Sequence, residues 1–120
     1  MRIDNTKFGS ITISGRIYPY DVYILPSGVI EKRNKKDSPR IGGHRSLGVH
    51  EIQYLLSHSP EILFIGIGQT GVLPIQPQGE KLLKNTSIPI FIDNTPALIL
   101  KFNMMFSQGK KVGAIFHTTC

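Results

Sequence analysis

A chain of 120 residues has the length of one ordinary domain, residues 1–120, and its 40% hydrophobic content supplies a core without help from metals or disulfides. A single cysteine, Cys120, excludes an intrachain disulfide and points to a reduced, cytoplasmic setting. No apolar run approaches the roughly 18 residues of a membrane-spanning helix, and the opening Met1-Arg2-Ile3-Asp4-Asn5 lacks the apolar stretch of a signal peptide. The formal charge of +6 is unevenly spread: residues 31–45 hold Lys32, Arg33, Lys35, Lys36, Arg40 and Arg45 against Glu31 and Asp37, a local +4, which leaves only +2 for the rest.

The first third reads as short strands. Ile11 and Ile13 alternate with Thr12 and Ser14, the period of a half-buried strand. Ser14-Gly15 turns the chain into Ile17-Tyr18, and Val22-Tyr23-Ile24-Leu25 follows Pro19 with the β-branched and aromatic residues that suit a pleated surface. Pro26-Ser27-Gly28 is a turn, and Val29-Ile30 begins the returning strand. The basic stretch 31–45, with Pro39 and Gly42-Gly43 and no apolar period, reads as a strand end running into an exposed, mobile loop.

Beyond it the period changes. Val49, Ile52, Leu55 and Leu56 define one face of a helix of about three turns, capped by Ser46 and ended by Ser59-Pro60. Ile62 to Ile67 is a continuous apolar strand of the kind buried on both faces of a sheet. A glycine-rich loop, a short helix around Gln78 to Lys84 and a second buried strand, Ile88 to Ile92, come next. Thr95-Pro96 reads as N-cap and first helical position, Leu98, Ile99, Phe102, Met105 and Phe106 as the apolar stripe, and Gly109 as the left-handed stop. Lys111 to His117 is the last strand. The order β-β-β-β-α-β-α-β-α-β, hairpins first and then strands alternating with helices, predicts an α/β domain with a mixed sheet.

Gly66-Ile67-Gly68-Gln69-Thr70-Gly71 spells G-x-G-x-x-G at the end of a buried strand, and Asp93 ends the next one. That is the layout of a dinucleotide site, but the helix that should open at the third glycine is replaced by the extended-looking Val72-Leu73-Pro74. A looser anion or small-ligand site is the alternative: loop N–H groups of Gly66, Gly68 and Gly71, the side chains of Gln69, Thr70 and Thr95, and Asn103 from the following helix. The competing expectation is that both segments only turn the chain and bond to each other.

Nothing in the pattern positions an acid and a base together. His50 and His58 share a helix face but stand about 12 Å apart, too far for one metal, and His44 is loosely placed. His117 and Cys120 form H-x-x-C without a third ligand, so neither a metal, a cofactor nor a catalytic residue is assigned. The basic cluster lacks interleaved aromatics and any DNA-binding motif, which limits it to weak, non-specific attraction for polyanions.

Four segments resemble one family. They are Phe8-Gly9-Ser10-Ile11; Tyr20-Asp21-Val22 through Ser27-Gly28; the loop Ile65 to Gly71; and an ending in which Thr95-x-Ala97 and Phe102-Asn103-x-Met105 precede Gly113-Ala114-Ile115-Phe116-His117-x-Thr119-Cys120. Together they are similar to the small domain-of-unknown-function family that includes mitochondrial complex I assembly factor 3 and the adipogenesis-associated domain protein. The resemblance spans nearly the whole chain. It implies a three-layer fold with a mixed central sheet and helices against one side, and a role exercised through protein partners with no settled reaction. Family members often carry a Trp after the second hairpin, where this chain has Glu31-Lys32-Arg33-Asn34. The sequence therefore leads to a non-catalytic binding or assembly module, with a small-ligand or anion carrier, or small enzyme, built on Gly66–Gly71 as the alternative.

Overall fold

In the computed structural model, which describes residues 1–120, the chain opens as an antiparallel meander of β1 (Ile3–Lys7), β2 (Ser10–Ile13) and β3 (Arg16–Tyr18). In β2 the alternation holds: Ile11 and Ile13 are buried while Ser10 and Thr12 are half-buried. β1 has no apolar period, since Ile3 alone is buried, and it exists because β2 pairs with it. Strands β4 (Val22–Ile24) and β5 (Ile30–Lys32) are joined by the expected turn, in which Gly28 at φ +90° donates its N–H to Leu25 O at 2.8 Å.

The central sheet runs β5-β4-β10-β8-β9, with β8 (Ile62–Ile67), β9 (Ile90–Asp93) and β10 (Val112–His117) parallel to one another and β4 antiparallel to β10. Alternate side chains feed two cores. Ile62, Phe64, Val112, Ala114 and Phe116 face one side, where Phe102 and Leu98 of α3 (Thr95–Ser107) and Ile3, Ile11 and Ile13 of the meander complete the packing. Leu63, Ile65 and Ile115 face the other, against Ile52 and Leu55 of α1 (Val49–Ser57) and Leu83 of α2 (Pro77–Asn85). The fold is thus a three-layer α/β arrangement with a mixed sheet, but helices cover both faces, α3 on one and α1 with α2 on the other.

Three local expectations change. Ile88–Ile92 is not a central strand: only Ile90–Asp93 pairs, at the sheet edge, and Ile92 is 46% exposed. An unbroken apolar run does not separate an edge strand with covered faces from an interior one. The cap of α3 is Asn94, whose side chain accepts from Ala97 N at 2.9 Å, and Thr95 is already inside the helix. At α1 the N-cap is Gly48, not Ser46, whose hydroxyl bonds Pro39 O at 2.6 Å.

The basic stretch is folded. β6 (Arg40–Ile41) and β7 (His44–Arg45) form a two-residue hairpin through Gly42 and Gly43, both at positive φ as a type I′ turn requires. Arg45 is tied down, its Nη1 donating to Lys35 O at 2.9 Å and to Lys36 O at 3.1 Å.

Candidate functional site

Arg33 leaves β5 and turns inward, and its guanidinium is buried between two carboxylates. Its Nε and Nη2 meet the Glu51 oxygens at 2.7 and 2.9 Å, Nη1 donates to Asp21 Oδ2 at 3.0 Å, and Nη2 also reaches Ser46 O at 2.8 Å. Glu51 sits in the first turn of α1, where it accepts the Gly48 N–H at 3.1 Å, half of a capping box. It takes further hydrogen bonds from Tyr23 Oη at 2.7 Å and Ser38 Oγ at 2.6 Å. Gly48 has to be glycine, because a Cβ there would collide with Ser38. Burial would raise the Glu51 pKa, but the Arg33 contact outweighs it and holds the carboxyl below its usual range. Burial and the Glu51 carboxylate together push the Tyr23 phenol up, and on Arg33 the two carboxylates overcome burial to keep it charged.

The second half of the network lies at the C-terminal end of β10. Asp21, between β3 and β4, accepts from His117 Nδ1 at 2.7 Å on one oxygen and from Thr118 N and Oγ1 at 2.8 and 3.0 Å on the other. Burial opposes ionisation, yet His117, the Thr118 N–H and Arg33 together hold this carboxyl well below the ordinary range. The other imidazole nitrogen, Nε2, lies 3.1 Å from Thr119 Oγ1. A carboxylate, an imidazole and a hydroxyl therefore stand in line, an acid–base pairing that the sequence reading did not find. Asp21 and His117 are 96 residues apart, and only the β4–β10 pairing brings them together. Two cavities flank the network. One of about 370 Å³ is lined by Asp21, Lys32, Lys35 and Thr119, and one of about 470 Å³ by Tyr23, Glu31, His50 and Tyr54.

The glycine loop bonds to the chain's own groups. Gly68 N donates to Thr95 Oγ1 at 3.1 Å and Thr95 N to Gly68 O at 2.9 Å, so the loop and the α3 start bond each other. Gln69 N donates to Thr119 O at 2.7 Å, Val72 N to Cys120 O at 3.0 Å, Thr70 Oγ1 to Cys120 O at 3.1 Å, and Gly71 N to Gly68 O at 3.3 Å. Gly68, at φ +109°, lies against the Cys120 backbone so closely that no Cβ fits. Gly66 leaves equally little room, against Phe116 and Thr95. The N–H groups of Gln69 and Val72 and the Thr70 hydroxyl thus point at the backbone of residues 119–120. Thr95 adds a hydrogen bond of 2.6 Å to His117 O, and Gln69 Nε2 reaches Thr6 Oγ1 at 2.9 Å. Six of the seven site residues meet here. Asn103 does not: it binds Ile3 through both N–H and C=O at 2.9 Å, joining α3 to β1. Asp93 is exposed and accepts from its neighbour Asn94 N at 2.7 Å.

Of the other singled-out residues, His50 is exposed beside Asp37 at 3.7 Å, and His58 packs edge-on against Tyr54. Within the basic cluster Lys32, Lys35, Lys36 and Arg40 remain exposed, whereas Arg33 does not.

This α/β fold recurs in solved structures over its whole length. One is the structure described as MT938, 30% identical, covering 99% of this chain and 98% of that one with a TM-score of 0.81. Another is the conserved hypothetical protein PH1505 from Pyrococcus horikoshii OT3, 30% identical over 100% of both chains with a TM-score of 0.80. A structure described as an outer membrane protein from Bartonella henselae shares the fold at 21% identity, with 98% and 94% coverage and a TM-score of 0.73. Residues 3–117 match the family described as protein of unknown function (DUF498/DUF598), and the chain belongs to that family.

Proposed function

We propose that residues 1–120 act as one domain whose task is to bind a protein partner, as a binding or assembly module. The observation that carries this reading is the group of exposed apolar side chains on the outer face of α3. Ile92 and Ala97 share a groove at the β9 edge, while Leu100, Met104 and Met1 share a second groove one turn further along the helix. Leu100 is 81% exposed, Met104 49% and Met1 40%. Leu100 and Met104 are four residues apart and so share one face of the helix. Scattered exposed apolar residues need no explanation, but apolar residues grouped on one helix face mark an interaction surface. Exposed Arg2 borders the groove of Leu100 and Met104, and exposed Lys101 and Asp93 border that of Ile92 and Ala97, so the fitting partner is apolar at its centre and charged at its rim.

The test is photo-crosslinking in cells from a reactive residue at position 100, with one at Lys81 on α2 as the comparison. A defined partner should crosslink from position 100 only, and the purified pair should associate with wild-type chain and not with Met104→Asp. Equal crosslinking from both positions would count against this face. No helix of the chain is long and apolar enough to cross a membrane, and this face is too short to act as a span.

A further inference from the structure

We propose that Asp21, His117 and Thr119 form an acyl-transfer site that hydrolyses small carboxylate-bearing esters through an acyl-Thr119 intermediate. The arrangement fixes the direction of proton flow. The Asp21 carboxylate receives three donors besides the imidazole: the Thr118 N–H, the Thr118 hydroxyl and the Arg33 guanidinium. A carboxylate so placed only accepts, so the His117 proton that faces it, across 2.7 Å, resides on Nδ1. In the neutral imidazole Nε2 is then the lone-pair nitrogen, and that tautomer accepts from the Thr119 hydroxyl 3.1 Å away. Hydroxyl, imidazole and carboxylate in that order are the working parts of nucleophilic acyl transfer, recognised by geometry and not by chain position.

Access and substrate class follow from the cavity. Thr119 lines the cavity of about 370 Å³, room for a short acyl chain. Lys32 and Lys35 line the same space, and neither enters any ion pair of the structure; the Lys32 ammonium lies 5.3 Å from the Tyr20 ring centre. Two lysines without a carboxylate partner in the lining of this cavity favour an acyl group that carries its own carboxylate. The steps balance as follows. Thr119 Oγ1 bonds to the ester carbon while its proton passes to His117 Nε2. The C–O bond to the alcohol then breaks, and that alcohol leaves with the proton from Nε2. Water attacks the acyl-Thr119 ester, gives a proton to Nε2, and the acid departs as Thr119 recovers its hydroxyl. Ester and water become acid and alcohol with no other reactant. Asp21 acts through His117 and is a positioning residue.

The decisive experiment uses the full chain with p-nitrophenyl succinate and p-nitrophenyl acetate. Wild-type chain should speed succinate release at least about tenfold over buffer, below the range usual for a positioned base, with a succinyl adduct mapping to Thr119 by peptide mass. Thr119→Val keeps the side-chain shape and should abolish both signals; Thr119→Ser should restore them. Lys32→Ala with Lys35→Ala should erase the preference for succinate over acetate. Imidazole ¹⁵N shifts should show Nδ1–H in the wild-type chain and lose that signature in Asp21→Asn. No acceleration by wild-type chain, full activity in a folded Thr119→Val, an adduct on lysine alone, or Nε2–H in the wild-type imidazole would each overturn the proposal. The partner face on α3 is not involved, so failure here leaves that reading intact.

Discussion

Five donors converge on the two carboxylate oxygens of Glu51: two from Arg33 and one each from Tyr23, Ser38 and Gly48. Removing one partner of a buried pair leaves the other charge uncompensated, at a cost of about 3 kcal/mol or more. Glu51→Gln should lower the unfolding free energy by that amount, read as a lower denaturant midpoint at unchanged slope, and Glu51→Gln with Arg33→Met should recover part of the loss. An unchanged midpoint in the single variant would show that the pair is not buried in solution. Gly68 is the second demanding position, since its φ of +109° and the adjacent Cys120 backbone both exclude a side chain. Gly68→Ala should cost about 2 kcal/mol, because strain and overpacking add.

Among the elements, α3 carries two neighbouring polar residues with separate duties. Asn94 caps the helix from the solvent side, so Asn94→Ala should cost about 1 kcal/mol. Thr95 is buried and ties the β8 loop to β10 through Gly68 N and His117 O. Thr95→Val preserves shape but orphans both groups, and should cost about 2 kcal/mol or more. Thermal unfolding of the two variants checks the order; a larger effect at Asn94 would mean that the loop tie is weak. The same comparison shows why the helix start was only partly legible. A Thr-Pro pair announces a helix N-terminus, but which residue turns its oxygen back depends on where the neighbouring strand ends.

For the whole molecule, pH dependence follows from the network. Asp21 and Glu51 have folded-state pKa values depressed below their ordinary 3.8 and 4.5, so the unfolded chain binds more protons in acid. Their contribution is fully present above about pH 5 and is lost as pH falls further. Tyr23 is raised from 10.0, so the folded chain holds its proton longer and stability declines as pH rises past that value. Denaturation midpoints should form a plateau between, and Glu51→Gln should flatten the acid side. Charge supplies the other prediction: with Arg33 buried and Arg45 tied to carbonyls, four exposed bases remain in the cluster. Duplex DNA binding through them should show a log–log salt slope no steeper than about −3.6. A steeper slope in fluorescence titrations would mean that bases elsewhere take part.

Local pattern was enough for what local physics controls. Apolar runs marked β8 and β10, period 3.6 marked α1 and α3, and Pro26-Ser27-Gly28 marked a hairpin, because burial and backbone preference act within a few residues. The mixed sheet followed from the order of those elements. Strand β1 escaped notice because its partner, not its own side chains, holds it in place. The edge position of β9 likewise depends on what fails to pair with it. The glycine loop was visible as a motif, yet the residues it bonds, 119–120, arrive from some 50 residues away. Arg33 looked like one solvated base among six, and Asp21, Glu51 and His117 carried no shared pattern. Buried charge requires partners from several directions, and those partners come from the β3–β4 connection, the end of β5, α1 and β10, so only tertiary structure could assemble them.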